Sequence, residues 1–249
     1  MNKKVNILGV KVDRIGINDA ADKIFSFLSG DRCRKVFTPN SEIIMNGYNN
    51  ADFAKILNAA DLLTADGIGV VKAAKILKRP VPERAAGFDI ACRLLEMVAK
   101  TDYKLFLFGG KPGVAEKAKE KMEEKYPGLK IAGMRNGYFK EEETDDIVRQ
   151  INESGAELLF VCLGAPKQEK WINENAPKLT GVKAALGVGG SLDVFAGTAE
   201  RAPEFYCKHG LEWFYRLMKE PWRAKRMTAL PKFALTVILH GRKYKQEDC

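Results

Sequence analysis

The sequence predicts an α/β protein, with a doubly wound, mostly parallel Rossmann-like sheet and a basic, aromatic C-terminal helical appendage. Short apolar segments alternate with helical segments along most of the 249 residues. Several of these segments are apolar at every position, which is typical of strands buried on both faces. Hydrophobic residues make up 46 % of the chain and charged residues 29 %, so a large domain can bury a sizeable core.

Six segments have the composition of strands, and helical segments such as Val114–Lys125 separate them. This alternation predicts a parallel sheet with helices on both sides. Before the first of them, we expect a small strand pair and a helix over Asn18–Leu28, with Asn18 as its N-cap. The six strand segments are Lys35–Thr38, Asp61–Ala65, Lys104–Phe108, Lys130–Met134 (the weakest), Leu158–Cys162 and Lys183–Gly187.

Charge divides the chain into two parts, for which we predict an α/β domain over residues 1–200 and an appendage over residues 201–249. The net charge is +9. Residues 201–249 hold 11 Lys and Arg against 5 Asp and Glu, whereas residues 1–200 hold 30 against 27. A basic module on a nearly neutral body indicates a polyanionic partner, either anionic lipid or nucleic acid.

In the appendage, basic residues are interleaved with large apolar ones such as Phe214, Leu217 and Met218. This pattern suits an element that lies on an anionic membrane surface. A polar stripe that follows phosphates would be expected for nucleic acid, so no nucleic-acid partner is predicted. The alternative is a C-terminal helix that packs on the body and leaves its charges solvated. Apolar tail residues, if exposed, could also drive homo-oligomerisation.

The N-terminal apolar stretch ends at Lys11, which is too short for a signal peptide. No apolar run approaches the ~20 residues of a spanning helix. The five cysteines are scattered and form no CxxC pair, which favours a reducing compartment. We therefore expect a cytoplasmic protein whose contact with a membrane is peripheral.

Small, polar and acidic residues follow the predicted strands. In an open parallel sheet, ligands bind beyond the carboxyl ends of the strands. These residues should therefore meet at one edge, and their recurrence is a stronger indication of a site than any single motif. They are Thr38–Ser41, Asp66–Gly67, Gly109–Gly113, Gly164–Glu169 and Gly187–Asp193.

Each of these loops also has a purely structural explanation. Gly109–Gly113 could hold a phosphate on backbone N–H groups at a helix start, or could only form a tight turn. It matches neither GxGxxG nor GxxxxGK[ST]. Asp66 could be a turn carboxylate or a general base. Asp193 has the same two interpretations and could instead bind nucleotide hydroxyls.

Metal chemistry has little support in the sequence. The only histidines are His209 and His240, and there is no Asp-x-Asp motif. Asp145 and Asp146 begin an acidic helical segment, where solvated carboxylates favour the helix dipole. We expect no metal and no cofactor, so that a leaving diphosphate would have to be neutralised by arginine or lysine.

Taken together, seven segments resemble, in order, those of the WecG/TagA/CpsF glycosyltransferases. The resemblance runs nearly end to end, and its longest motifs, GxPxQExW and RAP…GLEWxYRLxxEPxRxxR, are too long for coincidence. The segments are TPNSEI (38–43), TADGIGVV (64–71), RAAGFDI (84–90), LFGGKPG (107–113), GAPKQEKWI (164–172), GVGGSLDVFAG (187–197) and RAPEFYCKHGLEWFYRLMKEPWRAKR (201–226).

The resemblance is greatest to the TagA branch of this family. It implies transfer of N-acetylmannosamine from UDP to the C4 hydroxyl of N-acetylglucosamine on undecaprenyl diphosphate, the linkage unit of wall teichoic acid. It also implies an inverting, metal-independent reaction in a catalytic domain over residues 1–200. The appendage is then expected to associate with the membrane and to complete the active site.

Transferred to this sequence, the resemblance makes Asp66 the general base, with Thr38, Gln168 and Arg84 as further catalytic residues. The expected substrate-binding residues are those beside the sugars, those of the nucleotide pocket and the arginines near a diphosphate. They are Asn40, Glu169, Gly109, Gly110, Gly189, Asp193, Arg216, Arg223 and Arg226.

Three other functions stay open at this point. The same fold could use another nucleotide sugar, such as N-acetylmannosaminuronic acid, glucose or galactose. It could bind a nucleotide sugar without turnover. It could also be a non-catalytic module that binds anionic lipid or nucleic acid.

Overall fold

The computed structural model describes residues 3–219 and 229–244. Its secondary structure begins with two short strands and then alternates helices with strands. The strands are β1 (Lys4–Ile7), β2 (Val10–Asp13), β3 (Arg34–Phe37), β4 (Leu62–Leu63), β5 (Lys104–Gly109), β6 (Lys130–Arg135), β7 (Leu158–Cys162) and β8 (Ala184–Gly187). The helices are α1 (Ile17–Phe27), α2 (Ser41–Asn49), α3 (Ala51–Asn58), α4 (Ile68–Ile76), α5 (Gly87–Val98), α6 (Val114–Lys125), α7 (Thr144–Glu153), α8 (Lys167–Asn175), α9 (Ser191–Phe195), α10 (Glu204–Lys208), α11 (Glu212–Lys219) and α12 (Ala229–His240).

Six strands form one parallel sheet in the order β4-β3-β8-β7-β5-β6. Each coincides with one of the predicted strand segments, which confirms the fold class. Every residue of β7 and of β8 is buried, as the continuously apolar sequence requires. The predicted strand pair at the N-terminus is also present, as an antiparallel hairpin of β1 and β2.

Strand β4 is shorter than the predicted segment Asp61–Ala65. Its outer edge is covered by the β1–β2 hairpin, where the buried carboxylate of Asp13 accepts a hydrogen bond from the Leu63 N–H at 2.9 Å. The carboxylate of Asp61, just before β4, accepts a hydrogen bond from the Lys35 N–H of β3 at 2.9 Å. The Asp13 side chain therefore takes the place of a ladder acceptor at the outer edge of β4, whereas the Asp61 contact lies on the side of β3.

Helices cover both faces of the sheet, and each face has its own apolar core. Helices α1, α5, α6 and α9 pack on one face, and α2, α3, α4, α7, α8 and α12 on the other. The chain leaves β5 towards the first face through α6, and leaves β7 towards the second face through α8. The crevice between β5 and β7 is therefore a topological switch point, where open α/β sheets bind ligands.

Helix α1 begins one residue before the prediction, and its N-cap is Gly16, not Asn18. No side chain of the cap residue is involved. The Ile17 N–H instead donates to the Glu83 carboxylate at 2.8 Å. The N-cap prediction was wrong because a residue far along the chain supplies the acceptor.

The last described helix packs on the body. Phe233 and Val237 of α12 are 1 % and 0 % exposed and belong to the same core as α2 and α4. The Tyr48 hydroxyl and His240 Nδ1 lie 2.7 Å apart and add a polar contact. The packing interpretation of the tail therefore holds for this helix. Among the described helices, none combines the length and apolar character needed to cross a membrane.

Candidate active site

A cleft of about 390 Å³ opens at the carboxyl ends of β3, β4, β7 and β8. It is also bordered by the start of α5 and by residues of the tail. Six of the predicted site residues line it: Thr38, Asn40, Asp66, Arg84, Gln168 and Gly189. The parallel topology thus brings together loops that are up to about 150 residues apart in sequence.

Asp66 lies three residues after the end of β4, in the turn that leads into α4. Its N–H donates to the Pro39 carbonyl at 3.2 Å, which ties this turn to the loop after β3. Gly67 follows with φ 85°, a conformation that favours glycine, and serves as the N-cap of α4. The turn therefore holds the Asp66 carboxylate at the wall of the cleft.

Arg84 is surrounded by carboxylates. Its guanidinium pairs with Asp89 of α5 at 2.9 Å and with Glu212 of α11. Burial lowers the pKa of Arg84, but the hydrogen bond and charge of Glu212 and the charges of Asp66 and Asp89 outweigh this effect and raise it. Arg84 therefore stays charged and links Asp66 to the tail.

Thr38 ends β3 at the floor of the cleft and is 8 % exposed. Its hydroxyl donates to the Gly187 carbonyl, at the end of the neighbouring strand β8, at 3.3 Å. Helix α5 begins directly against it, because a Cβ on Gly87 would lie 2.8 Å from Thr38 Oγ1. Since the hydroxyl proton is used, the Thr38 oxygen can act as an acceptor towards a ligand.

Asn40 lines the cleft as the N-cap of α2. Its Oδ1 accepts from the N–H groups of Glu42 and Ile43, both at 3.0 Å. Only its amide nitrogen is left for a substrate. An asparagine followed by Ser41 and Glu42 is a recognisable helix start, so the sequence carried this signal.

Gln168 and Glu169 begin α8 and are both buried. The Gln168 amide oxygen accepts from the Gly189 N–H at 3.0 Å, and its nitrogen donates to Glu169 Oε1 at 2.9 Å. Glu169 is 1 % exposed and lies behind Gln168, outside the lining of the cleft. The structure thus does not favour Glu169 as a direct substrate contact.

Gly109 and Gly110 lie at the switch point, behind a second, wide-open depression of about 690 Å³. A Cβ on Gly109 would overlap the Cys162 carbonyl, so only glycine fits where β5 meets β7. The Gly110 carbonyl accepts from the Gly137 N–H at 2.8 Å. The depression is lined by Gly137, Tyr138, Phe139, Lys140, Glu143, Leu163 and Lys167.

Lys167 occupies the border between this depression and the loop after β7. Its ammonium lies 4.0 Å from the centre of the Phe139 ring and donates to the Gly137 carbonyl at 3.3 Å. A cation held over an aromatic ring at a switch point suits a phosphate. Lys167 was not among the expected site residues, although it lies inside the motif GAPKQEKWI.

Asp193 does not line the cleft. Its main-chain carbonyl accepts from the Thr198 N–H at 2.9 Å, in the turn after α9. Burial raises the pKa of the Cys162 thiol to about 12, and the negative charge of Asp193 adds to this rise. Asp193 therefore lies near the end of β7, on the side of Gly109 and Gly110.

The tail contributes to the cleft through residues that had been given no role. Glu212, Trp213 and Leu230 line it, together with Phe88 and Asp89 of α5. Glu212 and Trp213 belong to the quoted GLEW string and Asp89 to RAAGFDI, so the family motifs contained the signal. The backbone of Arg216 lies in α11, whereas its side chain, Arg223 and Arg226 fall outside the described part of the structure.

No group of three or more His, Cys, Asp or Glu side chains is placed to hold a metal ion within residues 3–219 and 229–244.

Known proteins resemble this chain along most of its length. The glycosyl transferase family WecG/TagA/CpsF matches residues 5–247. The chain is 37 % identical over 210 residues to an N-acetylglucosaminyldiphosphoundecaprenol N-acetyl-beta-D-mannosaminyltransferase of Bacillus subtilis, which covers 84 % of this chain and 81 % of that protein. It is 33 % identical over 245 residues to a Staphylococcus aureus enzyme of the same name, which covers 98 % of this chain and 95 % of that protein.

Proposed function

The chain belongs to the WecG/TagA/CpsF family of glycosyltransferases, and from this premise we propose that it transfers N-acetylmannosamine from UDP to the C4 hydroxyl of N-acetylglucosaminyl-diphosphoundecaprenol. One observation carries the proposal. The carboxylate of Asp66, the hydroxyl of Thr38 and the amide of Gln168 line one cleft, which Arg84 borders with a positive charge. The relatives whose names specify this reaction support the choice of sugar and acceptor.

Asp66 is the general base of the proposed reaction. It takes the proton of the acceptor hydroxyl as that oxygen forms a bond to the anomeric carbon of the donor sugar. The bond from the anomeric carbon to UDP breaks on the opposite face, and UDP leaves with the electron pair, so the configuration inverts. Arg84 lies close enough for its charge to interact with the Asp66 carboxylate, which is one of the charges that raise the pKa of Arg84.

The donor nucleotide lies over the switch point in this proposal. Gly109 and Gly110 let the backbone approach a phosphate closely, and Lys167 supplies a positive charge beside them. Asp193, on the same side, binds nucleotide hydroxyls. The donor sugar then extends past the loop after β7 into the cleft, where Gln168, Gly189 and Thr38 orient it.

Diphosphate groups of UDP and of the lipid carrier carry the negative charge that must be neutralised. We assign this to Arg84 and to the tail arginines Arg216, Arg223 and Arg226. The guanidinium of Arg84 already binds two carboxylates, Glu212 and Asp89, which are the geometric equivalents of phosphate oxygens. An incoming diphosphate would compete with Glu212 for it.

A lipid-linked acceptor requires that the enzyme work at the membrane, and we propose peripheral association with the inner, anionic face of the plasma membrane. Support comes from the outer side of α12, where Leu235, Ile238 and Leu239 are between 57 % and 60 % exposed. Helix α4, which packs against α12, exposes Ile76. The same two helices and the turn after them carry the exposed cations Lys72, Lys75, Lys232, Arg242 and Lys243.

The decisive test is release of UDP from UDP-N-acetylmannosamine in the presence of the lipid-diphosphate acceptor and EDTA. We expect acceptor-dependent release by the wild type. Asp66→Asn should lose about 10²–10⁴-fold in turnover, the usual contribution of a general base, while still binding UDP. Wild-type turnover by this variant would exclude Asp66 as the base. A donor panel run in parallel distinguishes the proposed sugar from glucose, galactose or a uronic acid.

A further inference from the structure

Two hydrogen bonds fix the amide of Gln168 in one orientation. Its oxygen faces the Gly189 N–H at 3.0 Å, and its nitrogen faces Glu169 Oε1 at 2.9 Å. Rotation of the amide by 180° would place two donors together at Gly189 and two acceptors together at Glu169. Both contacts would then be repulsive in a buried site, so the partners leave a single allowed orientation.

The environment of Glu169 offers little compensation for burying a carboxylate. Its Oε2 is a buried atom without a hydrogen-bond partner among the described residues. Burial raises the pKa of Glu169, and the hydrogen bond from Gln168 only partly offsets the rise. No cation pairs with it among the described salt bridges. A buried, half-satisfied carboxylate does not serve stability, which indicates a role in the site.

The surroundings leave Gln168 able to act on a ligand in one way. Gly187 ends β8 without a side chain, and a Cβ there would lie 3.0 Å from Gln168 Nε2. The amide therefore fits closely over the strand end. With its oxygen bonded to Gly189 and one N–H bonded to Glu169, the second N–H of the amide is the group left for the cleft.

We propose that Glu169 is a positioning residue that orients the Gln168 amide so that it presents an N–H donor to the cleft. Gln168 then binds an acceptor oxygen of the substrate, while the Thr38 oxygen, whose proton is given to Gly187, binds a donor. Together, Gln168 and Thr38 would distinguish sugar substituents that accept a hydrogen bond from those that donate one. The expected kinetic effect rests on the proposed function. The orientation of the Gln168 amide does not depend on it.

The kinetic test compares Glu169→Leu, Glu169→Gln and their combinations with Gln168→Ala, using Glu174→Leu at an exposed position of the same helix as control. Glu169→Leu should lower kcat/KM more than 10-fold, because the amide loses its orientation. Glu169→Gln should restore most of it, since the new amide oxygen accepts the same bond. In the Gln168→Ala background, Glu169→Leu should have no further effect. An equal loss in both backgrounds would overturn the proposal.

A second measurement does not depend on turnover or on the folding of Glu169→Leu. In the wild-type protein labelled with ¹⁵N, one of the two side-chain amide protons of Gln168 should be shifted downfield from its free value and protected from exchange with solvent. Glu169→Gln should move that signal. Free-amide chemical shifts and fast solvent exchange for both protons in the wild type would overturn the proposal, whereas absence of transfer activity with a fixed amide would instead count against the proposed function.

Discussion

Charged residues around the cleft are held by partners that come from distant parts of the chain. Arg84 bonds Glu212, which lies 128 residues further on, and Asp89 also pairs with Arg201. Arg84 thus meets two carboxylates and Asp89 meets two guanidinium groups, so the charges of this cluster largely offset one another. At the residue scale, the site is therefore a set of ion pairs arranged around one carboxylate, Asp66, that lies at the start of α4.

Glu169 should make the stability of the protein depend on pH. Its pKa is raised in the folded state, so between the ordinary value and the raised one the folded chain binds more protons than the unfolded chain. Stability contributed by this residue is therefore lost as pH rises through that window. Each pKa unit corresponds to about 1.4 kcal/mol.

The measurement is the free energy of unfolding of the wild type and of Glu169→Gln at a series of pH values from about 4 upwards, near the usual glutamate pKa. The variant should gain on the wild type as pH rises and then keep a constant advantage. The comparison cancels the other titrating groups. A difference between the two proteins that does not change with pH would show that burial does not disfavour the ionised carboxylate.

At the scale of elements, hydrogen bonds from main-chain N–H groups to side-chain carboxylates complete the ends and edges of strands and helices. Strand β4 has only two residues, and its outer edge is closed by the β1–β2 hairpin instead of by another strand. Edge strands left open are liable to pair with other chains. The hairpin thus protects the strand whose continuation carries Asp66.

Asp13→Ala should destabilise the protein by about 1–3 kcal/mol, because the buried Leu63 N–H loses its acceptor. The ion pair of Asp13 with Lys4, at 3.6 Å and partly exposed, adds little. Asp13→Asn is the matched control, since its amide oxygen can still accept the bond, and it should lose less. Urea unfolding measures both. Equal losses in the two variants would mean that charge, and not the hydrogen bond, is what matters.

On the scale of the whole molecule, the body and the tail share a core. Phe233 and Val237 insert into the face that α2 and α4 cover, while the other side of α12 leaves leucine and isoleucine exposed. The tail also brings Glu212 and Trp213 to the cleft. If this surface meets the membrane, the same packing sets the distance between the lipid and Asp66, the proposed general base.

Replacement of Leu235, Ile238 and Leu239 together by serine should weaken binding to vesicles that contain phosphatidylglycerol, because insertion of apolar side chains is lost. Vesicle co-sedimentation at low and high salt measures this and separates the electrostatic part. The control is Tyr138→Ser, at an exposed position after β6, the strand at the other end of the sheet from β4. This variant should bind vesicles as the wild type does. Unchanged binding of the triple variant would place the membrane contact elsewhere on the protein.

Sequence patterns alone predicted the six parallel strands and the strand-end loops that contribute to the cleft. Strands buried on both faces must be apolar at every position, and loops at one sheet edge must be small and polar, so both leave local signals. Thr38, Asn40, Asp66, Gln168 and Gly189 lie in such loops, whereas Arg84 was expected from the family resemblance alone. All six line the same cleft in the structure.

Contacts between distant residues leave no local pattern, and these were decided by the tertiary structure. It placed Glu169 behind Gln168 instead of in the cleft, bonded Glu212 to Arg84, and gave α1 its acceptor from Glu83 instead of from Asn18. It also left Asp193 outside the lining of the cleft that holds Asp66. Each case depends on which side of a packed helix or loop a side chain occupies, and that is known only once the layers have assembled.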